Sequence, residues 1–372
     1  MRTTRVALAA IGAALVVPAT AGAATYTVSA GPPQNAAMPT SFAAGLYDGA
    51  AFYPGSRAVL KIHKNDKVKF VGGFHTATIL GSTARSGLEL IQPDPAHGTY
   101  APVNDQQGVP QPFYWGGMAK FVYNVGGTFV PAGATTVSSK TALYSSGLLG
   151  ASQTGYTLKF SKTGTFKIVC LIHPGMAGKI QVVSKSKRVP SVKSAARRAK
   201  RDVNADINDA IDLDLDLPRV DADPPNALVT VGAGSKRTSL FAFYPSALSV
   251  KTGTTVTFRS GSVNEPHNIG IGEMNYQLDL LSQIDLFPNA PTDPNQVNPN
   301  LFYGSDAPVA GVRTFAGASS HGNGYMATNV VWKSSTIPGI AAETKVKFTA
   351  PGTYTYMCQI HPFMVGTVNV HP

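Results

Sequence analysis

The sequence predicts an all-β protein: two Greek-key β-sandwiches in tandem, each with a long inserted loop region, joined by a charged linker. Three observations carry that prediction. Charged residues make up 14% of the chain, while Gly (37) and Pro (27) are abundant. Typical domains carry about 25% charge, and this composition suits many short strands joined by turns. Runs of alternating apolar residues recur, such as Val59 to Phe70 and Leu248 to Phe258, the period of a half-buried strand. The second half of the chain also repeats landmarks of the first.

Taken in order, residues 1–24 read as a secretory signal peptide: Arg2 and Arg5, an apolar stretch from Val6 to Val17, then Ala21-Gly22-Ala23-Ala24. That stretch is short for a membrane span, no later segment is long and apolar enough to make one, and no cysteine near the cleavage site could take a lipid. The expected location is secreted or extracytoplasmic, in a periplasmic or cell-envelope space. The chain beyond residue 24 is long enough for about two domains.

The repeat sets their limits. Phe52-Tyr53-Pro54 matches Phe243-Tyr244-Pro245, and a histidine follows the tyrosine after 22 residues in one copy (His75) and 23 in the other (His267). Aromatic clusters come next, Phe113-Tyr114-Trp115-Gly116 and Leu301-Phe302-Tyr303-Gly304, then the serine pairs Ser145-Ser146 and Ser334-Ser335. Each copy closes on a turn and strand leading to a cysteine, Lys162 to Cys170 and Ala350 to Cys358. Such self-similarity is the mark of a tandem duplication, with domains at 25–184 and 227–372.

Residues 185–226 form the linker. Val192, Ala196, Ala199, Val203, Ile207 and Ile211 follow a helical period, yet basic residues crowd the first half and aspartates the second, against the helix macrodipole. The segment is expected to be a marginal helix or a flexible linker. Asp212 to Leu217 alternates as an edge strand would, and its aspartates lack calcium-loop spacing.

The chemistry lies at the ends of the copies. Each closes on Cys-x2-His-x2-Met: Cys170, His173, Met176 and Cys358, His361, Met364. With the upstream His75 or His267, each domain offers one thiolate, two imidazoles and one thioether. Two imidazoles and a thiolate with a weak axial methionine are the ligands of blue-copper sites. Zinc takes Cys and His but not usually thioether, and its structural sites use more cysteine. A disulfide is the ordinary reading of two cysteines in an exported chain. It would require Cys170 and Cys358, each at the same internal position of a separate domain, to meet.

Around these residues, Glu265-Pro266-His267-Asn268-Ile269 and Tyr356-Met357-Cys358-Gln359-Ile360-His361-Pro362-Phe363-Met364-Val365-Gly366 resemble the plastocyanin/azurin family of cupredoxins. The ligand loop is closest to the amicyanins. Phe74-His75-Thr76 and Cys170 to Gly178 are similar. The resemblance implies two mononuclear copper sites, held by His75, Cys170, His173 and Met176 and by His267, Cys358, His361 and Met364. Asn268 takes the family's loop-tying role, from which Thr76 departs. The inserts at 81–145 and 272–336 lie outside the resemblance.

The functional expectation is electron transfer with an unidentified redox partner protein, His173 and His361 offering imidazole edges near the surface. Residues 25–184 carry 12 Lys/Arg against 5 Asp/Glu, so an acidic partner surface could be steered to the first domain, although a solvated basic face is the commoner meaning of such lysines. No nucleic-acid motif accompanies the charge. Copper storage or delivery is the alternative, and a copper oxidoreductase built from such domains is a third. Multicopper oxidases and nitrite reductases place a histidine beside the cysteine, whereas here the neighbours are Val169 and Leu171, or Met357 and Gln359. No His-x-His pair occurs, and His63, His97, His321 and His371 read as ordinary surface histidines.

Overall fold

The computed structural model describes residues 22–32, 47–48, 51–53, 59–93, 98–99, 103–104, 110–111, 120–151, 154–173, 175–218, 220–282, 303–305, 311–335 and 340–372. Almost all of the leader, His97 and the cluster at 113–116 lie outside these residues.

The first half is a β-sandwich. One sheet has the order Thr136–Val137, Tyr156–Phe160, Lys67–Gly72, Thr25–Ala30, Phe52–Tyr53; the other has Tyr144–Leu148, Thr76–Ile79, Gly164–Val169, Ala177–Val183, Val59–His63. Alternation along the strands decides which residues meet between the sheets. Tyr26, Val28 and Ala30 point inward from one sheet, and Ile180 and Val182 from the other, joining Phe70, Phe160, Phe166 and Ile168 in one core. The turn between Val59–His63 and Lys67–Gly72 is tied by Asp66, whose carboxylate accepts from the backbone N–H of His63 and of Ala24, both at 2.9 Å. Asn65 holds the left-handed conformation there (φ 74°), which Asn tolerates better than most residues.

The second half repeats this order strand for strand. Val312–Phe315, Glu343–Phe348, Thr255–Gly261, Leu228–Gly234 and Ser239–Tyr244 make one sheet, and Met326–Ala327, Gly270–Ile271, Gly352–Met357, Val365–His371 and Ala247–Lys251 make the other. Each sheet gains an edge strand: Val220–Ala222 beside Ala247–Lys251, and Tyr47–Asp48, from the first half of the chain, beside Ser239–Leu240. Both sandwiches are mixed. In each, the opening strand runs parallel to its neighbour, Thr25–Ala30 with Lys67–Gly72 and Leu228–Gly234 with Thr255–Gly261.

One landmark of the repeat shifts. Ser146 Oγ accepts from the Ala77 N–H at 2.8 Å, and the residue that does this for Ile269 is Thr328, at 3.1 Å. Ser146 therefore corresponds to Thr328 and not to a member of the pair Ser334-Ser335.

The linker forms a 25-residue helix, Val192–Asp216, capped by Ser191, whose hydroxyl accepts from Ser194 N–H. It extends through Asp212 to Asp216, where alternation alone reads as strand. Both sandwiches hold it. Ala195 enters the first core, Val203 and Ile207 pack on Ala51 and Tyr53, and Ala210 packs on Leu240, Ala242 and Tyr244 of the second half. Polar contacts fix its length: Tyr26 OH donates to Pro190 O, Tyr244 OH to Asp214 Oδ1, and Arg237 to both oxygens of Asp206. Burial of an apolar stripe against two bodies outweighs the unfavourable macrodipole, which is worth only about 0.3–1 kcal/mol per exposed charge.

Candidate metal centres

In both sandwiches the cysteine ends the strand after a glycine turn, and the chain returns at once. Cys170 N–H donates to Met176 O (3.1 Å) and Met176 N–H to His173 O (3.2 Å). Cys358 N–H donates to Met364 O (3.1 Å) and Met364 N–H to His361 O (2.8 Å). This closed loop puts Cys and His on one side, and the upstream histidine arrives from the neighbouring strand.

The donors converge. In the first site Cys170 Sγ lies 3.4 Å from His173 Nδ1 and 4.0 Å from His75 Nδ1, and the two nitrogens are 2.9 Å apart. In the second site Cys358 Sγ lies 3.7 Å from Nδ1 of both His267 and His361, whose nitrogens are 3.2 Å apart. Each triangle has a point ~2 Å from all three atoms, the length of a bond from a first-row metal ion to such donors. Among the described residues these are the two groups of His, Cys, Asp or Glu with metal-holding geometry. Met176 and Met364 are buried in the same cores as Cys170 and Cys358. Both cysteines are free and buried, so the disulfide is excluded.

The surroundings differ between the sites. Asn268 ties the second pair of loops: its Oδ1 accepts from Gln359 N–H at 2.8 Å and its Nδ2 donates to Gln359 Oε1 at 3.0 Å. In the first site Thr76 does the equivalent work, its hydroxyl accepting from Leu171 N–H at 2.8 Å, while its own N–H donates to Cys170 Sγ at 3.4 Å. The change from Asn thus keeps the backbone contact, while the second bond, from Asn268 Nδ2 to Gln359 Oε1, has no counterpart at Leu171. Gly232, at φ 61°, lies against His267, and a Cβ there would collide with Nε2 of the ring. Gly31, at the corresponding place of the first sandwich, shares the left-handed conformation (φ 74°).

Burial pushes the Cys358 thiol up to about 11 and His267 down to about 3. Burial, then the neighbouring His267 and His173, holds His361 low. In the first site burial opposes both charges, but His173 and His75 hold the Cys170 thiol well below its ordinary range. Glu265, followed by Cys170, carries His173 up to about 9 against the cost of its burial. A metal needs thiolate and neutral imidazole, so it displaces protons from both sites.

The expected surface edges of His173 and His361 are covered. Their Nε2 atoms face Glu265, at 3.7 and 3.9 Å, and the side chains are 7% and 15% exposed. The inserts complete the cover. Arg85 donates to Cys170 O at 2.8 Å, and Tyr123, with Leu90, Ile91 and Phe121, packs on Ile360 of the second ligand loop. Tyr303 of the second insert packs against Phe121, ring centres 5.9 Å apart. Sequence alone gives Glu265 no role; the one signal is an acidic residue two places before a ligand histidine. The remaining described histidines belong to neither group: His63 meets Lys187 O, His371 meets Asp223, and His321 lies in the turn Gly317–Gly322.

Residues 229–371 match the family model of copper binding proteins, plastocyanin/azurin family. Comparison with curated proteins returns no match. Among solved structures, the chain is similar to a purple cupredoxin from Nitrosopumilus maritimus, 19% identical over 39% of this chain and 100% of the other, with a TM-score of 0.20. It is similar to the plastocyanin of Dryopteris crassirhizoma (22% identity, 39% and 100% covered, TM-score 0.20). It also matches auracyanin from Roseiflexus castenholzii (20% identity, 41% and 96% covered, TM-score 0.20). The family match and the two Cys-His-His groups give copper as the cofactor.

Proposed function

We propose that this chain, whose residues 229–371 form a copper-binding domain of the plastocyanin/azurin family, is an extracytoplasmic blue-copper electron-transfer protein with one mononuclear site in each sandwich. His75, Cys170, His173 and Met176 would hold the first ion, and His267, Cys358, His361 and Met364 the second. The single observation that carries this reading is the pair of nitrogen–nitrogen–sulfur triangles, each sized for one ion and each with its cysteine buried in a sandwich core. Copper in such a site supplies reversible one-electron chemistry.

The chain's own residues keep the geometry fixed. Asn268 and Thr76 clamp the ligand loops, Gly232 makes room for His267, and the core excludes water from the thiolates. A fixed donor set that needs little rearrangement between oxidation states suits an electron carrier. The tandem arrangement, with domains at 25–184 and 227–372, and the leader at 1–24 belong to the same proposal. No helix among the described residues is long and apolar enough to cross a membrane. The redox partner is a protein, and the basic first domain favours an acidic surface on it.

Adding Cu(II) to the purified mature protein tests this. An intense thiolate-to-copper band with reversible one-electron behaviour is expected. A colourless protein that takes only Cu(I) would mean storage or delivery, and turnover of oxygen or nitrite would mean catalysis.

A further inference from the structure

Glu265 stands between the two sites and approaches both. Its Oε1 lies 3.7 Å from Nε2 of His173 and its Oε2 lies 3.9 Å from Nε2 of His361. Both rings turn Nδ1 to their own cysteine and Nε2 to this one carboxylate. When Nδ1 is given to a metal, Nε2 carries the ring proton, so two N–H groups share a single anion. The loop that carries Glu265 is anchored. Glu265 N–H donates to Ser262 Oγ (3.1 Å) and Asn264 Nδ2 to Ser235 O (3.0 Å). A Cβ at Gly175 of the first ligand loop would stand 3.5 Å from Asn264 Oδ1. The two ligand loops therefore meet across this segment.

We propose that Glu265 links the two centres into one thermodynamically coupled pair, in which the oxidation state of either centre sets the midpoint potential of the other. The inference rests on both sites being copper centres, as proposed above. Oxidation at one centre raises the positive charge on its histidine ring, and the more polarised N–H draws the carboxylate. The other ring then keeps a smaller share of the negative charge, and its centre becomes harder to oxidise. Burial keeps this competition from being screened by solvent ions. By linkage the effect is the same whichever centre is oxidised first. No bond is made or broken: each step removes or returns one electron at one centre, exchanged with the electrode or a redox partner.

Spectroelectrochemical titration of the full chain tests the coupling. The references are Cys170→Ser and Cys358→Ser, each of which keeps one centre. In the two-centre protein, the equilibrium constant for removing the second electron should be at least about 5-fold less favourable than for the same centre alone, the lower end of ordinary coupling between sites. Glu265→Gln presents an amide N–H to one ring and ends the sharing, so the difference should fall to under about 2-fold. Glu265→Asp keeps the charge but withdraws it from the rings, and should lie between; it answers the question if the Gln variant loses copper. Equal coupling in wild type and variants, or none in wild type with both blue bands present, overturns the proposal. A wild-type chain in which either site forms no blue centre sinks the copper reading, and the coupling with it. The two failures are told apart by the absorption spectrum before any titration begins.

Discussion

Asn268 and Gln359 clasp each other across the two ligand segments of the second site, with Gln359 N–H donating to Asn268 Oδ1 at 2.8 Å and Asn268 Nδ2 donating to Gln359 Oε1 at 3.0 Å. Asn268 follows His267 and Gln359 follows Cys358, so two hydrogen bonds hold both donors in register. Gln359 is itself held by Tyr325 OH at 2.8 Å, which ties the second insert to the site.

Asn268→Ala removes both bonds and leaves Gln359 buried without them. Copper affinity of the second site should fall about 10- to 100-fold, as for other residues that orient metal ligands, with the first site unchanged. Chelator competition followed at the blue band measures this. Equal loss at both sites would mean that the clasp is not local.

Gly232→Ala places a side chain at φ 61° where Nε2 of His267 already lies. The backbone conformation alone costs about 1 kcal/mol or more, and the ring must also move. The expected outcome is a less stable second sandwich and loss of its copper, read by denaturant unfolding and metal analysis. Retention of two coppers per chain at unchanged stability would show that the ring has another position.

The helix at 192–216 should behave as part of the fold. Lys193, Arg197, Arg198, Lys200 and Arg201 all lie within it, so native protein should resist trypsin there. Ile207→Ala truncates a side chain packed on Ala51 and Tyr53 and should cost about 2 kcal/mol or more, exposing those sites. Rapid cleavage of the wild type at 193–201 would restore the flexible linker.

The two Cys-His-His groups are legible in the sequence because Cys-x2-His is a local pattern and the upstream histidine recurs at matched spacing. Strand positions were legible for the same reason, since alternation is written residue by residue. The features that stayed hidden depend on contacts between distant segments. Helical period was visible in the linker, but only packing on Tyr53 from one side and Tyr244 from the other decides that it holds. Glu265 gains its role because two separately predicted loops meet around it, and His173 and His361 lose their surface edges for the same reason. Thr76 departs in type from Asn yet makes the same backbone contact, and Ser146 corresponds to Thr328; both follow from strand pairing that residue identity conceals.

Cys170→Ser and Cys358→Ser should each abolish about half of the blue absorption and one copper per chain, leaving the other site bound. Loss of both coppers in either variant would mean that the two sites assemble only together.

The most direct test is the copper content of the reconstituted full-length mature chain, measured together with its optical and paramagnetic resonance spectra. Two coppers per chain, both with an intense sulfur-to-copper band and the narrow hyperfine splitting of a thiolate site, are predicted. A chain that retains no copper, or holds it without thiolate character, would contradict the convergence of Cys170 with His75 and His173, and of Cys358 with His267 and His361, on single ions.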